Sequence, residues 1–261
     1  MEKVSLEHYG VALGATAAGT AMQAWRATLN AKDKFWKHSK TMDEFFRKCY
    51  FGGMVGLSSN KQYPDGNVVT FDRNSSYPAS MEKHGVPDGY TKRVLSYVKG
   101  KPGFYVVDVE APDEVAFPLI YSRDERGRPV LKSGSYRGYC TSLEYEFALA
   151  HGYKLRVVEG VVFSNRIFPF SPFISKCRKE REEFKGEPRE LLAKLYQNSL
   201  YGKFGAKTLR RACFQKICDE DLEVSECFPI GDDGYYHTLV ESEDMFVRPD
   251  WAAWITAASR V

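Results

Sequence analysis

The sequence predicts an α+β protein in which helical segments flank a region of short strands and turns. Apolar residues recur at helical spacing near the N-terminus, and a second helical stretch lies between residues 171 and 204. Between these segments, short runs of β-branched and aromatic residues alternate with turn-forming residues. With 43% hydrophobic and 14% aromatic residues, a chain of 261 residues can bury a substantial core.

The N-terminal segment, up to about residue 47, is predicted to be helical. Met22, Trp25 and Leu29 recur at helical spacing, and Phe45 belongs to a second short apolar stripe. The stretch 10–24 is rich in Ala, Gly and Thr but is too short to span a bilayer. We therefore expect a small-residue helix packed in the core, and no membrane partner.

The middle of the chain is predicted to alternate strands with turns. The predicted elements are strands at 68–71, 104–109, 119–121 and 155–163, a turn at 124–128, and a helix from Ser142 to His151 closed by Gly152. After residue 208, acidic and turn residues alternate with short apolar runs. This pattern predicts a hairpin connection that extends to about residue 248.

A helical pair is predicted over residues 171–204, with an interruption near Gly186-Glu187-Pro188. The proline suits the first position of a helix because that position needs no backbone N–H group. In the second helix Lys194, Asn198 and Tyr201 lie at i, i+4 and i+7, so they share one face. This face can present a cation, an amide and a ring to a ligand, or it can be a solvated surface.

A second candidate site follows the apolar run 68–71, which ends on Asp72 and continues into a polar turn with Ser75 and Ser76. A strand end holds a carboxylate rigidly, and the following turn leaves backbone N–H groups for phosphate oxygens. Mg²⁺ is commonly bound by one or two carboxylates together with substrate phosphates. Asp72 has a suitable position for a metal ligand, but an isolated aspartate after a strand is usually a turn residue, and only the motif that flanks Asp72 favours the ligand.

These segments resemble sequence motifs of family B DNA polymerases. Residues 72–78 read D-x-x-S-x-Y-P and residues 194–202 read K-x-x-x-N-S-x-Y-G, in the order in which the family has them. Residues 50–53 match the Y-x-G-G motif of the protein-primed branch, which serves phages, adenoviruses and linear plasmids. The resemblance extends from about residue 16 to the C-terminus.

The resemblance implies an incomplete polymerase right hand, with a palm sheet, a helical fingers hairpin and an inserted α/β subdomain. Residues 1–78 would form N-terminal helices and the first palm strands, and residues 79–170 would resemble the terminal-protein-region subdomain. Residues 171–205 would be the fingers helices. Residues 206–261 would return to the palm.

The resemblance also implies a function: the addition of dNTPs to a DNA or terminal-protein primer by two-metal nucleotidyl transfer. Asp72 would be the catalytic residue and the ligand of Mg²⁺, the implied cofactor. The residues implied to bind the incoming dNTP are Ser75, Ser76, Tyr77, Arg178, Arg181, Lys194, Asn198 and Tyr201.

Individual roles follow from the same resemblance. Lys194 would bind phosphate, because fixed cations provide much of the catalysis in phosphoryl transfer. Tyr77 would exclude a ribose 2′-hydroxyl, and Tyr201 would cover the nascent base pair. Arg178 and Arg181 are candidates for a second cation, with a solvated helix face as the open alternative.

Five further residues are implied to contact DNA: Tyr50, Gly52, Gly53, Gly202 and Lys203. Glycines suit this role because they allow the backbone to approach phosphates that a side chain would block. The implied partners are template and primer DNA, dNTPs and a terminal protein. A phage or virus polymerase would act in the cytoplasm of the host cell, and a linear plasmid is an alternative source.

Composition excludes some other classes. The formal charge of +3 excludes a histone-like polycation, and the six cysteines show neither a C-x-x-C pair nor zinc spacing. The sequence Gly231-Asp232-Asp233 is interpreted as a polar turn rather than a metal hairpin.

Because only Asp72 matches one of the family's two palm aspartates, we expect negligible extension by the isolated chain. The alternative function is a catalytically inactive module that binds nucleic acid or a terminal protein.

Overall fold

A computed structural model describes residues 2–30, 33, 35–53, 75–113, 118–206, 210–216, 227–230, 235–241 and 246–261. The chain divides into two compact units, one formed by Met1–Gly205 with Arg248–Val261 and the other by Ala206–Val247. Asp72, the strand predicted at 68–71 and the turn at 231–233 lie outside the described residues.

The elements alternate along the chain. The helices are α1 (Glu2–Tyr9), α2 (Ala17–Arg26), α3 (Lys40–Lys48), α4 (Ser76–His84), α5 (Ser142–Ala150), α6 (Ser171–Glu183), α7 (Pro188–Phe204) and α8 (Pro249–Arg260). The strands are β1 (Val86–Val94), β2 (Gly103–Glu110), β3 (Ser122–Arg123), β4 (Pro129–Val130), β5 (Ser135–Thr141), β6 (Lys154–Ile167), β7 (Arg210–Lys216), β8 (Cys227–Ile230) and β9 (Tyr235–Glu241). No helix among the described residues is long and apolar enough to cross a bilayer.

The first unit is organised around an antiparallel sheet in the order β1-β6-β2-β5. Successive residues of a strand point to opposite faces, so β2 contributes to two cores. On one face, Tyr105, Val107 and Val109 are buried with Tyr145 and Ala148 of α5. Helix α5 begins at a capping box in which Thr141 and Glu144 each satisfy a backbone N–H of the other.

The opposite face of the sheet packs against α3 and α8. Phe104 of β2 lies with its ring centroid 4.9 Å from that of Phe46 and 6.2 Å from that of Trp254. Every residue of α8 from Pro249 to Ala258 is buried, so this helix lies in the middle of the unit. Because aromatic side chains bury large apolar areas, these contacts fix the position of α8 under the sheet.

An aromatic cluster joins the helical hairpin α6–α7 to α8. Trp25, Phe170, Phe204 and Trp251 are buried, with ring centroids between 5.3 and 6.2 Å apart. The predicted break near residues 186–188 is confirmed, since α6 ends at Glu183 and α7 begins at Pro188. The cluster therefore anchors the C-terminal end of α7.

The second unit is a three-stranded antiparallel sheet in the order β7-β9-β8. It includes the hairpin connection that the sequence predicts after residue 208. Two predictions about the first unit, the strand at 119–121 and the helix within residues 10–24, are corrected by the structure.

The strand predicted at 119–121 does not form, and β3 begins only at Ser122. The hydroxyl of Tyr153 accepts a hydrogen bond from the backbone N–H of Leu119, and the Tyr136 hydroxyl donates to the Ile120 carbonyl. Tyrosine hydroxyls thus make the backbone hydrogen bonds that a neighbouring strand would otherwise make. Tyr121 makes only an isolated bridge to Tyr139.

The helix predicted within residues 10–24 begins only at Ala17. Gly10 adopts a φ of 69°, which ends α1, and the Thr16 hydroxyl accepts a hydrogen bond from the Gly19 N–H at 3.1 Å. A threonine that accepts in this way is a helix N-cap. The remaining helix buries Ala21 and Ala24 beside Met22 and Trp25, so the predicted packing of small residues in the core is confirmed for α2.

Candidate functional site

Helix α7 displays the polar face that its sequence predicts. Leu192, Tyr196 and Leu200 are buried, while Lys194 is exposed and Asn198 is half-buried. Within the described part of the chain, the side chains of Lys194 and Asn198 make no hydrogen bond or ion pair. The amphipathic sequence therefore packs one side of α7 into the unit and leaves a cation and an amide available to a ligand.

The rings of Tyr77 and Tyr201 stack on each other. Their centroids are 4.0 Å apart and their planes differ by 22°. Burial and a hydrogen bond with Tyr77 raise the pKa of the Tyr201 hydroxyl, so this group is a neutral hydrogen-bonding group at physiological pH. Burial and the neighbouring Tyr77 also raise the pKa of Tyr50. Three tyrosines from three separate sequence motifs thus form one cluster.

Ser75 occupies the junction between α4, α6 and α7. Its backbone has φ 51° and ψ 40°, the left-handed region that non-glycine residues seldom adopt. Its hydroxyl accepts hydrogen bonds from the Arg181 guanidinium at 3.0 Å and from the Gln197 amide at 3.2 Å. These bonds bring Arg181 to Ser75, which is three residues after Asp72 in the sequence.

Two other predicted nucleotide ligands have protein partners instead. Arg178 forms an ion pair with Glu82 of α4. The Ser76 hydroxyl lies 2.5 Å from the Ser259 hydroxyl of α8. Both contacts tie α4 to neighbouring helices, and of the two arginines it is Arg181 that bonds to Ser75.

The loop from Tyr50 to Gly53 is held by two arginines that sequence reasoning missed. Arg123 donates hydrogen bonds to the carbonyls of Arg47, Lys48 and Tyr50 at 2.7 to 2.9 Å. Arg260, at the end of α8, donates to the carbonyls of Phe51 and Gly52 at 2.7 Å. Their target carbonyls occupy the C-terminal end of α3 and the loop after it, where no helical N–H group is available.

The two arginines also enclose a pair of stacked rings. Phe51 and Tyr121 stack with centroids 4.7 Å apart. The Arg123 guanidinium lies 4.5 Å from the Phe51 centroid, and that of Arg260 lies 5.3 Å from the Tyr121 centroid. Arg260 is also paired with the buried carboxylate of Glu144. We call Arg123, Arg260, Phe51, Tyr121 and Glu144 the loop anchor.

The sequence offers one signal for the loop anchor and none for its geometry. Arg260 is the only cation within Pro249–Val261, which is otherwise mostly apolar. A lone cation in a buried helix requires a partner. Its partner Glu144 is distant in sequence, and the carbonyl acceptors have no sequence signature.

Two glycines lie close to the tyrosine cluster. A Cβ at Gly205 would lie 2.4 Å from the Tyr50 ring, and one at Gly53 would lie 3.3 Å from the Tyr77 hydroxyl. By contrast, a Cβ at Gly202 would meet no atom within 4 Å. Gly202 and Gly52 are exposed, and Lys203 is half-buried with no ion pair to a described residue.

Gly202 and Gly205 give a matched pair of alanine substitutions. Gly205→Ala should push the Tyr50 ring aside and lower the free energy of unfolding by about 1–3 kcal/mol, as overpacking does. Gly202→Ala should raise it by about 0.5–1 kcal/mol, because alanine favours the helix interior. Urea unfolding of both variants measures the difference. Equal effects of the two substitutions would contradict the packing of Tyr50 against Gly205.

A metal site cannot be assembled from the described residues alone. They contain no group of three or more His, Cys, Asp or Glu side chains that could hold an ion. The predicted ligand, Asp72, lies outside them.

The family comparison covers most of the chain. The model for "DNA polymerase type B, organellar and viral" matches residues 11–223. A probable DNA polymerase of Ascobolus immersus is 30% identical over 168 residues, which is 61% of this chain and 14% of that protein. The DNA polymerase of Bacillus phage Nf is 26% identical over an alignment of 267 residues, covering 92% of this chain and 44% of that protein. This chain therefore spans less than half the length of each of these relatives.

Solved structures show the same fold. Phi29 DNA polymerase complexed with primer-template DNA matches with a TM-score of 0.73 at 19% identity, covering 99% of this chain and 46% of that one. Its complex with primer-template DNA and incoming nucleotide substrates matches with a TM-score of 0.69 at 21% identity, covering 93% and 43%. These structural matches confirm the predicted α+β fold. The family model and the phage relative confirm the resemblance to family B DNA polymerases. The chain belongs to the organellar and viral type B DNA polymerases.

Proposed function

We propose that this chain provides nucleotide-binding and template-binding parts of a DNA-directed DNA polymerase. One observation carries the proposal: the tyrosine of D-x-x-S-x-Y-P, Tyr77, stacks on the tyrosine of K-x-x-x-N-S-x-Y-G, Tyr201. The two motifs are more than a hundred residues apart in sequence, yet their tyrosine rings are in contact. A shared ligand gives a physical reason for their convergence.

The dimensions of α7 support binding of a nucleoside triphosphate along its polar face. Lys194 and Tyr201 are seven residues apart, which corresponds to about 10 Å along the helix axis. A triphosphate held by Lys194 would then extend toward the ring of Tyr201. Arg181, fixed by Ser75, would supply a second positive charge.

Separate residues would select the sugar and the base. Tyr77 would lie beneath the sugar and exclude a 2′-hydroxyl, while Tyr201 and Asn198 would face the base pair and the substrate. For the nucleotide to enter, the stacked rings of Tyr77 and Tyr201 would have to separate. Arg178 and Ser76 would act through their bonds to Glu82 and Ser259 by fixing α4.

The template would run along the loop 50–53. The loop anchor fixes the backbone there, and the exposed Gly52 and Gly53 leave it accessible to phosphates. Gly202 and Lys203 would contact DNA at the end of α7. The open space around Gly202 suits a close approach of the backbone.

The family in general depends on divalent metal ions, and we propose Mg²⁺ with Asp72 as a ligand. When bound, the ions would stabilise the attacking 3′-oxygen and the leaving pyrophosphate. The residues of α7 would hold the triphosphate in line for this step.

We further propose that residues 79–170 contact a terminal protein, and that the polymerase acts in the cytoplasm of a phage-infected or plasmid-bearing cell.

Binding of a magnesium–dNTP complex tests the proposal. Lys194→Ala should weaken dNTP binding by about ten- to a hundred-fold, because one charge-assisted hydrogen bond to phosphate is lost. Isothermal titration of the purified chain with dATP and Mg²⁺ measures the change. Lys179→Ala, which removes an exposed lysine from the neighbouring α6, should leave affinity unchanged.

Other outcomes would favour a different role. If the chain binds DNA but Lys194→Ala leaves dNTP binding unaltered, it is a nucleic-acid binding module without the nucleotide site. If Lys179→Ala weakens dNTP binding as much as Lys194→Ala does, the loss reflects the net charge of the chain and not a specific contact with Lys194.

A further inference from the structure

Strand β1 contains a bulge that projects one tyrosine from the sheet. Asp88 pairs with Asn165 and Thr91 pairs with Phe163, so Gly89 and Tyr90 lie opposite the single residue Ser164. The backbone N–H of Tyr90 donates to the Ser164 hydroxyl at 3.0 Å.

Glycine is required for this bulge. Gly89 adopts a φ of 85°, and a Cβ there would lie 2.3 Å from the Ser164 hydroxyl oxygen. The bulge is therefore a defined local structure that positions the following residue. That residue, Tyr90, is 90% exposed and has no ring or hydroxyl partner among the described residues.

Cations flank the bulge. The Lys101 ammonium donates to the Ser164 carbonyl at 2.8 Å, which places it beside the bulge. Lys92 pairs with Val162, and Arg166 pairs with Pro87, so the alternation along β6 puts Lys92 and Arg166 on one face of the sheet. Residues 89–101 contain four cations and no acidic residue. We call Tyr90, Lys92, Lys101 and Arg166 the bulge surface.

Edge protection accounts for the cations but not for the tyrosine. Strand β1 lies at the edge of the sheet, and exposed lysines on an edge discourage pairing with other chains. That purpose needs no exposed aromatic ring, which adds apolar surface to the edge. A ring held outward among cations instead fits a ligand with both a flat face and negative charge.

We propose that the bulge surface binds single-stranded nucleic acid, with a base stacked on Tyr90 and phosphates paired with Lys92, Lys101 and Arg166. A stacked base must be unpaired, which favours a single strand over a duplex. This contact is additional to the nucleotide site on α7. It rests on the proposed function only in that the chain meets DNA.

Fluorescence anisotropy with a labelled oligothymidylate tests this inference. Tyr90→Ala should weaken binding by about ten-fold through the loss of one stacked base, and Tyr90→Phe should retain affinity. The double variant Lys92→Ala/Arg166→Ala should reduce the slope of log K against log salt by about 1.4, or 0.7 for each lost phosphate contact. Because these side chains are exposed, the variants should fold normally.

Two matched controls separate the surface from general effects. Trp36→Ala removes another ring that is 74% exposed, and Lys3→Ala removes a remote exposed cation. Neither should change the affinity for the oligonucleotide. Unchanged binding by Tyr90→Ala, or equal losses in Trp36→Ala, would overturn the inference.

The outcome is separable from the test of the α7 site. If Lys194→Ala loses dNTP binding while the Tyr90 and Lys92/Arg166 variants bind oligonucleotide normally, the bulge surface is refuted and the proposed function stands. If the Tyr90 and Lys92/Arg166 variants weaken oligonucleotide binding as predicted while dNTP binding is absent throughout, the surface stands and the nucleotide site fails. A duplex bound as tightly as the single strand, with equal sensitivity to Tyr90→Ala, would also refute base stacking.

Discussion

Replacing Arg260 with methionine should lower the free energy of unfolding by about 3–5 kcal/mol, because it leaves the buried Glu144 without its cation. The side chains of Arg260 and Glu144 are only 5% and 3% exposed, so water cannot replace the lost partner. The same substitution removes both hydrogen bonds to the carbonyls of Phe51 and Gly52. The loop 50–53 should therefore loosen as the unit loses stability.

A double variant separates these two effects. Glu144→Gln removes the charge, and a glutamine can still complete the capping box with Thr141. Adding it to Arg260→Met should restore the part of the loss that comes from the unpaired carboxylate. The remaining deficit would report the bonds to the loop carbonyls.

Urea unfolding and hydrogen exchange of residues 50–53 measure both quantities. Arg260→Met should increase exchange in this loop, and the double variant should keep the increase although its global stability is higher. A single variant within about 0.5 kcal/mol of wild type would show that Arg260 does not anchor the loop. If the double variant regained both the wild-type free energy of unfolding and the wild-type exchange in the loop, Arg260 would likewise not anchor the loop.

Asp250→Asn should also cost about 3–5 kcal/mol, because it leaves the guanidinium of Arg248 buried without a carboxylate. The Arg248 side chain is 1% exposed and that of Asp250 is fully buried. Arg248 bonds both carboxylate oxygens, at 2.9 and 2.7 Å, and His38 lies 3.3 Å from one of them. Asparagine can preserve the shape of this site but not its charge.

The same carboxylate makes stability depend on pH. Burial raises the pKa of Asp250, but Arg248 and His38 outweigh burial and hold that pKa below its ordinary value. A carboxyl whose pKa is lower in the folded state stabilises the fold above its unfolded pKa, near 4, and this stabilisation is lost as pH falls through the folded value. Burial raises the pKa of the neighbouring Asp43, which acts in the opposite direction.

Comparing wild type with Asp250→Asn isolates the contribution of Asp250. The stability difference between them should be large at pH 7 and should shrink at pH 3 and below. Urea unfolding at both pH values provides the measurement. A difference that is constant with pH would mean that Asp250 carries no charge-dependent stabilisation in the folded state.

The sequence was sufficient to predict the elements whose periodicity is local. The helices at 171–204 and the strands at 104–109 and 155–163 were predictable because apolar residues at a period of 3.6 or 2 define one buried face. The shared face of Lys194, Asn198 and Tyr201 follows from the same rule. The stacking of Tyr77 on Tyr201 was not predicted, because the family resemblance implied only that each tyrosine contacts the incoming dNTP or its base pair.

Features that depend on distant partners could not be predicted. The segment 119–121 has the composition of a strand, but the hydroxyls of Tyr136 and Tyr153 satisfy its backbone. The loop anchor joins α8, α5 and the hairpin β3–β4 to carbonyl groups, and a carbonyl acceptor is the same in every residue type. Such contacts are consequences of tertiary packing and leave no periodic pattern in the sequence.

Photoaffinity labelling with 8-azido-dATP and Mg²⁺ tests the central claim most directly, which is that α4 and α7 form one nucleotide site. After irradiation and digestion, mass spectrometry identifies the labelled peptides. We predict labels within Ser76–His84 and Pro188–Phe204, suppressed by excess dATP and by Lys194→Ala. Labels confined to other segments, or labels on these helices that neither competitor nor substitution reduces, would contradict the claim.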